Sequence, residues 1–69
     1  MRQAHLRKRL AKYIKDKRGD MSLREFAKRY RLSKDTVARI EGQEQNITID
    51  TLDHMCRTFR CDISDLFPP

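Results

Sequence analysis

The feature of this sequence that most restricts its fold is a pair of helix start signals, Ser22 and Ser33, that lie only eleven residues apart. Ser22 and Glu25 have the spacing of a capping box, and Ser33 is typical of the next N-cap. Two helices joined by about three residues must meet at a steep angle. The pattern predicts a helix-turn-helix over residues 22–42, with an ordinary helical hairpin as the alternative. The residues that we expect to face inward are Phe26, Ala27, Tyr30, Leu32, Val37 and Ile40.

Helical spacing of apolar residues continues on both sides of this motif. A first helix is predicted to end at Gly19, a fourth to begin after Thr48, and a last short one to cap on Asp62. No segment alternates in the manner of a strand. The sequence therefore predicts one all-α domain of five short helices over residues 1–69. Its remaining core residues are expected to be Leu6, Leu10, Tyr13, Ile14, Leu52, Met55, Cys56, Phe59, Ile63, Leu66 and Phe67.

The charge of the chain is divided unequally between its two parts. Residues 1–40 carry a net charge of +10 and residues 41–69 carry −4, which together give +6. A basic half of this kind indicates a polyanionic partner, namely nucleic acid, an acidic membrane surface or an acidic protein, unless it is only a solvated surface. No apolar run approaches the roughly 18 residues of a spanning helix, and no secretion signal is visible. We therefore expect a cytoplasmic protein.

The third predicted helix has an unusual composition. Val37 and Ile40 are its only large apolar residues, so most of its surface must face solvent or a partner. Its other face presents Lys34, Asp35, Ala38 and Arg39. In a helix-turn-helix, the second helix lies in the major groove and its polar side chains meet base edges. The sequence therefore predicts that this face carries the function.

Four blocks of the sequence follow one another at a characteristic spacing: MSLREFA at 21–27, LSKDTVARIE at 32–41, NITIDTL at 46–52 and CDISDLF at 61–67. Together they resemble the phage repressor/Cro-type (XRE-type) helix-turn-helix domains. The resemblance covers the chain from about Leu6 to Phe67. It implies a five-helix lambda-repressor-like domain that binds double-stranded DNA, usually as a homodimer on a palindromic operator, and regulates transcription.

The resemblance also implies which residues meet DNA. Ser22 matches a phosphate-contact position at the start of the preceding helix, and Lys15 matches a basic residue that pairs with the acid at Glu41. Lys34 and Arg39 would donate to guanine, Asp35 would accept from cytosine, and Thr36 and Ala38 would offer methyl groups to thymine. The implied recognition-helix contacts are Ser33, Lys34, Asp35, Thr36, Ala38 and Arg39, and the implied backbone contacts of the following loop are Gln43, Gln45 and Asn46.

Some positions depart from the family pattern. Arg31 stands where the family usually has glycine, so we expect strain there if the backbone keeps a positive φ. Leu23 replaces the usual glutamine after the capping residue, which removes one phosphate hydrogen bond. Glu44 lies in the loop where the family often has a basic residue. Asp20 resembles a one-residue insertion between the first two helices.

Other functions receive less support from the residues. His54, Cys56 and Cys61 lack the paired spacing of a structural zinc site, so we expect no metal and no cofactor, with Cys56 a buried, inert thiol. No catalytic arrangement is present, and we expect no enzyme. Two alternatives to simple DNA binding remain open, a protein-interaction module and an antitoxin-like protein that also binds a second protein. For the dimer surface we expect Ile63, Phe67 and the residues around Arg57 and Thr58.

Overall fold

A computed structural model of the chain describes residues 5–44 and 47–69. Two predicted loop contacts, Gln45 and Asn46, lie outside the described residues. The four α-helices of the described part are α1 (Leu6–Arg18), α2 (Leu23–Arg29), α3 (Lys34–Glu41) and α4 (Ile49–Phe59). The last element, Ile63–Leu66, is a single turn of 3-10 helix. The all-α class is therefore confirmed, but the predicted count of five helices is not.

The helices begin at the residues that the sequence predicts. Ser22 forms a complete capping box with Glu25: the Glu25 N–H donates to the Ser22 Oγ at 3.0 Å, and the Ser22 N–H donates to Glu25 Oε1 at 3.1 Å. Ser33 caps α3, Thr48 caps α4 and Asp62 caps the 3-10 turn, each through its own side-chain oxygen. A cap of this type stabilises a helix by about 1 kcal/mol. These side chains therefore fix where each element starts.

Three of the helices end at a non-glycine residue in the left-handed region. These residues are Arg31 after α2 (φ 57°), Gln43 after α3 (φ 60°) and Arg60 after α4 (φ 56°). At the end of α2 the Leu32 N–H donates to the carbonyl of Ala27 at 2.8 Å, which is the bond expected of a Schellman motif. Arg31 keeps the positive φ that is usual at a glycine, so the condition stated for strain at this residue is met. A non-glycine residue in this conformation destabilises the fold by roughly 1–2 kcal/mol, because its Cβ lies too close to the following carbonyl oxygen.

The centre of the core takes one fully buried side chain from each element. The five are Ile14, Phe26, Val37, Met55 and Leu66. Burying a side chain of this size contributes about 1.5–3 kcal/mol. Val37 is one of these five, and α3 packs mainly against α1 and α2, which holds it to the body of the domain. Around these five lie further buried residues, namely Leu10, Ala11, Ala27, Ile40 and Phe59.

Two predicted core positions, Leu6 and Ile63, are wrong. Six further predicted core residues are half-buried and pack against the core, namely Tyr13, Tyr30, Leu32, Leu52, Cys56 and Phe67. Leu6 is 53% exposed because it begins α1, one turn beyond Leu10 and past the edge of the core. Ile63 is 45% exposed because it lies one turn before Leu66, the residue of the 3-10 helix that reaches the core. Cys56 is half-buried rather than buried, because it faces the margin of the core beside Cys61.

An aromatic cluster closes one side of the core. The Tyr30 ring lies 4.8 Å from both Phe26 and Phe59, measured between ring centroids. The Lys17 ammonium lies over this cluster, 5.2 Å from the centroid of Phe59, 5.8 Å from Tyr30 and 5.9 Å from Tyr13. A cation over aromatic faces contributes roughly 0.5–1 kcal/mol where water still reaches it. Lys17 therefore covers this side of the core, and its ammonium charge is stabilised by the aromatic rings beneath it.

Candidate nucleic-acid interface

The outward face of α3 is the most distinctive surface of the domain. Val37 is fully buried and Ile40 is 3% exposed, so these two side chains fix the inner face of the helix. Lys34, Ala38 and Arg39 are exposed on the opposite side. Because the anchors lie three residues apart on one stripe, the polar residues between and beside them must point away from the body. The structure thus places the predicted contact residues of α3 on one accessible surface.

Two charged side chains of this surface form an ion pair. Arg39 Nε lies 3.2 Å from Asp35 Oδ2, with 57% and 73% of the two side chains exposed. Asp35 precedes Arg39 by one helical turn, which is the spacing at which side chains on a helix meet. The pair offers carboxylate acceptors and guanidinium donors at the same place. In the described part of the chain, no carboxylate lies within ion-pair distance of Lys34.

The hydroxyl groups at the start of α3 are engaged in capping. The Ser33 Oγ accepts from the Thr36 N–H at 2.9 Å and donates its proton to the Thr36 Oγ1 at 2.7 Å. Ser33 therefore has no free proton to offer a base in this state. Thr36 is half-buried but keeps its own hydroxyl proton and its methyl group. Of the two, Thr36 is the side chain better able to contact a ligand.

Next to α3, the start of α2 adds a second part of the same surface. Ser22, the predicted phosphate contact, donates its N–H to Glu25, so that donor is not available to a phosphate. Arg24 was not predicted as a contact, yet it lines one open hollow together with Ser22, Leu23 and Lys34. The capping pattern does not indicate Arg24, because a capping box involves only Ser22 and Glu25. The available signal was a basic residue on the outward side of α2, two positions after Ser22.

The far side of the predicted surface is the corner after α3. Gln43 is exposed in the left-handed conformation, and its N–H donates to the carbonyl of Ile40 at 3.0 Å. The Glu44 N–H donates to the carbonyl of Arg39 at 2.9 Å. These bonds satisfy the last carbonyls of α3 and leave the Gln43 side chain facing solvent. The predicted contact of Gln43 with the DNA backbone stays a prediction.

The predicted ion pair between Lys15 and Glu41 is wrong, because Arg18 takes the place of Lys15. Arg18 Nε and Nη2 donate to the two oxygens of Glu41 at 2.7 and 2.8 Å, and Nη1 donates to the carbonyl of Met21 at 2.7 Å. Arg18 lies one turn after buried Ile14 and faces the body, whereas Lys15 is exposed. The hydrogen bond to Glu41 raises the pKa of Arg18. A guanidinium also suits this bidentate geometry better than an ammonium.

This ion pair has a defined role in holding α3. It joins the last turn of α1 to the last residue of α3, and through the Met21 carbonyl it also joins the turn before α2. The side chains of Arg18 and Glu41 are only 25% and 11% exposed. Such a buried, bidentate contact fixes orientation as well as distance. Together with Val37 and Ile40, it determines how α3 is presented.

The groups considered for metal binding have other surroundings. His54 Nε2 donates to the carbonyl of Tyr30 at 3.0 Å, so the imidazole joins α4 to the end of α2. Cys56 and Cys61 are free thiols. Across the described ranges, no three side chains from among His, Cys, Asp and Glu come together as metal ligands. His54 thus has a structural explanation in its own contact.

A capped α2, a turn through Arg31 in the left-handed region and an anchored α3 with an outward polar face define a helix-turn-helix protein. The model of the Cro/C1-type HTH DNA-binding domain family matches residues 6–68 of the chain. The chain therefore belongs to the Cro/C1-type helix-turn-helix DNA-binding domains, as the sequence blocks indicated. Comparisons with curated proteins and with solved structures gave no match. Among the helices of residues 5–44 and 47–69, none combines the length and apolar character that crossing a membrane requires.

Proposed function

We propose that this protein is a transcriptional regulator of the repressor/Cro type that binds a palindromic operator as a homodimer. The observation that carries the proposal is the outward face of α3, where Lys34, Asp35 and Arg39 stand exposed above buried Val37 and Ile40. A helix held in this way enters the major groove without rearrangement of the protein. The excess of basic residues in the first forty positions supplies the attraction to phosphate.

Specificity is assigned to individual side chains of α3. Arg39 and Lys34 donate to guanine O6 and N7, and Asp35 accepts from the cytosine N4 amine. Thr36 and Ala38 offer methyl groups to thymine. Ser22 and Arg24 at the start of α2, and Gln43 after α3, contact the sugar-phosphate backbone and set the register. Ser33 supports the start of α3 through its cap and contributes only an oxygen lone pair.

The ion pair between Asp35 and Arg39 does not prevent base recognition. An exposed pair one helical turn apart contributes only about 0.3–0.5 kcal/mol. A bidentate contact between an arginine and guanine is worth about 1–3 kcal/mol of discrimination. Arg39 therefore gains by exchanging its partner when guanine is present. Until then, Asp35 keeps the guanidinium directed along the outward face of the helix.

The dimer surface is assigned to the C-terminal corner of the domain. Ile63 is exposed there, Phe67 is half-buried, and Arg57 and Thr58 lie on the adjoining end of α4. A two-fold contact through this corner would place two copies of α3 about 34 Å apart, which matches half-sites one helical turn apart. This corner belongs to the acidic part of the chain, so its position away from DNA also avoids repulsion by phosphate.

The test begins by selecting bound fragments from random duplex DNA and measuring affinity by fluorescence anisotropy. Arg39→Ala is expected to relax discrimination at one base pair by about 1–3 kcal/mol. Lys12→Ala is the matched control, because it also removes one positive charge from an exposed ion pair between residues one helical turn apart. In that pair, Lys12 Nζ lies 3.2 Å from Asp16 Oδ2. The control should leave the base preference unchanged.

The same titrations at several salt concentrations examine the electrostatic part of the proposal. Affinity should fall as salt increases, because each neutralised phosphate releases counterions. An equal loss on all sequences with Arg39→Ala would show that Arg39 touches only phosphate. Binding without any salt dependence would contradict DNA recognition and favour a protein partner. Sedimentation with and without operator measures whether two copies bind together.

A further inference from the structure

The two cysteines of the chain occupy a matched pair of positions at the end of α4. Arg60 is in the left-handed region, and the Cys61 N–H donates to the carbonyl of Cys56 at 3.0 Å. The Arg60 N–H donates to the carbonyl of Arg57 at 3.3 Å. These two bonds define a Schellman motif, in which the side chains at the positions of Cys56 and Cys61 typically contact one another. The helix end therefore brings both thiols to one place.

Backbone geometry limits how far apart these residues can be. One hydrogen bond of 3.0 Å joins the amide nitrogen of Cys61 to the carbonyl oxygen of Cys56. With standard bond lengths and a trigonal angle at the carbonyl carbon, the two Cα atoms are then at most about 6.9 Å apart. Disulfides join Cα atoms about 4.4–6.8 Å apart, so the corner needs little movement to accept one.

The surroundings give the two thiols different properties. Both are half-buried rather than enclosed, so a small molecule can approach them. The Tyr13 hydroxyl donates to the Cys61 Sγ at 3.8 Å. Burial, followed by the neighbouring Cys61, raises the pKa of Cys56. Cys61 is therefore the better first nucleophile and Cys56 the resolving thiol.

We propose that Cys56 and Cys61 form a reversible intramolecular disulfide and that this bond is a redox switch at the C-terminal corner. The oxidant is a low-molecular-weight disulfide. The Cys61 thiolate attacks one of its sulfurs, forming a mixed disulfide and releasing one small thiol. The Cys56 thiolate then attacks the Cys61 sulfur and releases the second small thiol. Two electrons and two protons pass from the protein to the oxidant, whose disulfide becomes two thiols.

The consequence for regulation rests on the proposed function. Arg57 and Thr58 lie inside the ring that the disulfide closes, and Ile63 follows it by two residues. These residues belong to the assigned dimer surface. Oxidation draws the Cys61 sulfur away from Tyr13 and toward Cys56, which breaks the Tyr13 contact and rearranges the side chains of the corner. The oxidised protein therefore dimerises less tightly and binds the operator more weakly.

The disulfide itself is tested by mass spectrometry of the whole chain after incubation with graded mixtures of reduced and oxidised glutathione and acid quenching. The expected product is a monomer that is lighter by about 2 mass units, restored by excess reduced glutathione. Cys56→Ser and Cys61→Ser should each give only a mixed disulfide. Wild-type protein that ends as glutathione adducts or covalent dimers, without the lighter monomer, would overturn the proposal.

The regulatory part is tested on wild-type protein with the selected operator in both redox states. Oxidised protein should bind at least about fivefold more weakly than reduced protein, at the lower end of typical coupling between sites. The double variant Cys56→Ser/Cys61→Ser should bind equally in both buffers. Equal affinity of the two wild-type forms would overturn the switch. Failure of reduced protein to bind any duplex would instead contradict the proposed function, while the mass measurement would still decide the disulfide.

Discussion

Glu41→Gln is the most informative single change to the framework that presents α3. The substitution keeps the shape of the side chain but removes its charge and turns one acceptor of the Arg18 fork into a donor. Both hydrogen bonds that Glu41 accepts, at 2.7 and 2.8 Å, come from Arg18. Arg18 keeps its bond to the Met21 carbonyl and at most one bond to the remaining side-chain oxygen. The variant therefore leaves a half-buried guanidinium with a mismatched partner.

The expected loss follows from the burial of the pair. Breaking a fully buried ion pair on one side costs about 3–5 kcal/mol. Arg18 is 25% exposed and water can reach part of the guanidinium, so the loss should be smaller. Hydrogen bonds to charged groups contribute about 1.5–3 kcal/mol, which places Glu41→Gln at about 2–3 kcal/mol. A domain of this length has a total stability of only about 3–10 kcal/mol, so the effect is large.

The assay is urea unfolding of the wild-type chain and variants, followed by circular dichroism. Glu41→Gln should lower Tm by about 10–20 °C in the matching thermal scan. Lys15→Ala is the control, because it removes the residue that the sequence had paired with Glu41, and it should change stability by less than about 0.5 kcal/mol. If Glu41→Gln lost no more than Lys15→Ala, the pair between Arg18 and Glu41 would not hold α1 to α3.

Three further changes examine other features of the fold. Arg31→Gly should stabilise the domain by about 0.5–1 kcal/mol in urea unfolding, because glycine relieves the left-handed strain at a smaller entropic cost. Arg31→Ala should not stabilise it. Equal effects of the two substitutions would show that the charge of Arg31, and not its φ, determines the change in stability. Burial and the bond to Cys61 raise the pKa of Tyr13 to about 12. A Tyr30→Phe variant, which leaves Tyr13 as the only tyrosine, should titrate near that value by ultraviolet absorbance and near 10 in denaturant. The unfolding free energy should then be fully present below pH 10 and fall as pH rises through 12; an ordinary midpoint in the folded chain would refute the burial. Lys17→Met should cost about 0.5–1 kcal/mol in thermal unfolding through the lost cation–π contacts, and no loss would show that only the aliphatic stem of Lys17 matters.

The sequence predicted the starts of the elements better than it predicted their tertiary contacts. Ser22, Ser33, Thr48 and Asp62 could be identified because a cap depends only on the next two or three residues of the same chain segment. The strain at Arg31 could be predicted for a similar reason, since one turn with a known backbone requirement sets it. The inner face of α3 could be predicted in the same way, because Val37 and Ile40 are its only large apolar residues.

The errors arose where several elements meet. Arg18 rather than Lys15 reaches Glu41, and that choice depends on the rotation of α1 about its axis and on the length of each side chain. The exposure of Leu6 and Ile63 depends on where the core stops, which periodicity along one helix does not reveal. Arg24 joins Lys34 only because α2 and α3 meet at their starts. The contacts with DNA assigned to these side chains stay predictions.

The five fully buried side chains come from five different elements, and this distribution bears on how the domain is assembled. No pair of helices in the described structure has a separate hydrophobic core, so a partly folded chain can bury little apolar surface. Folding should therefore be close to all-or-none, with no stable fragment that keeps α3 in place without the rest. A substitution that disrupts the last turn near Leu66 would therefore unfold α3 together with the rest of the domain.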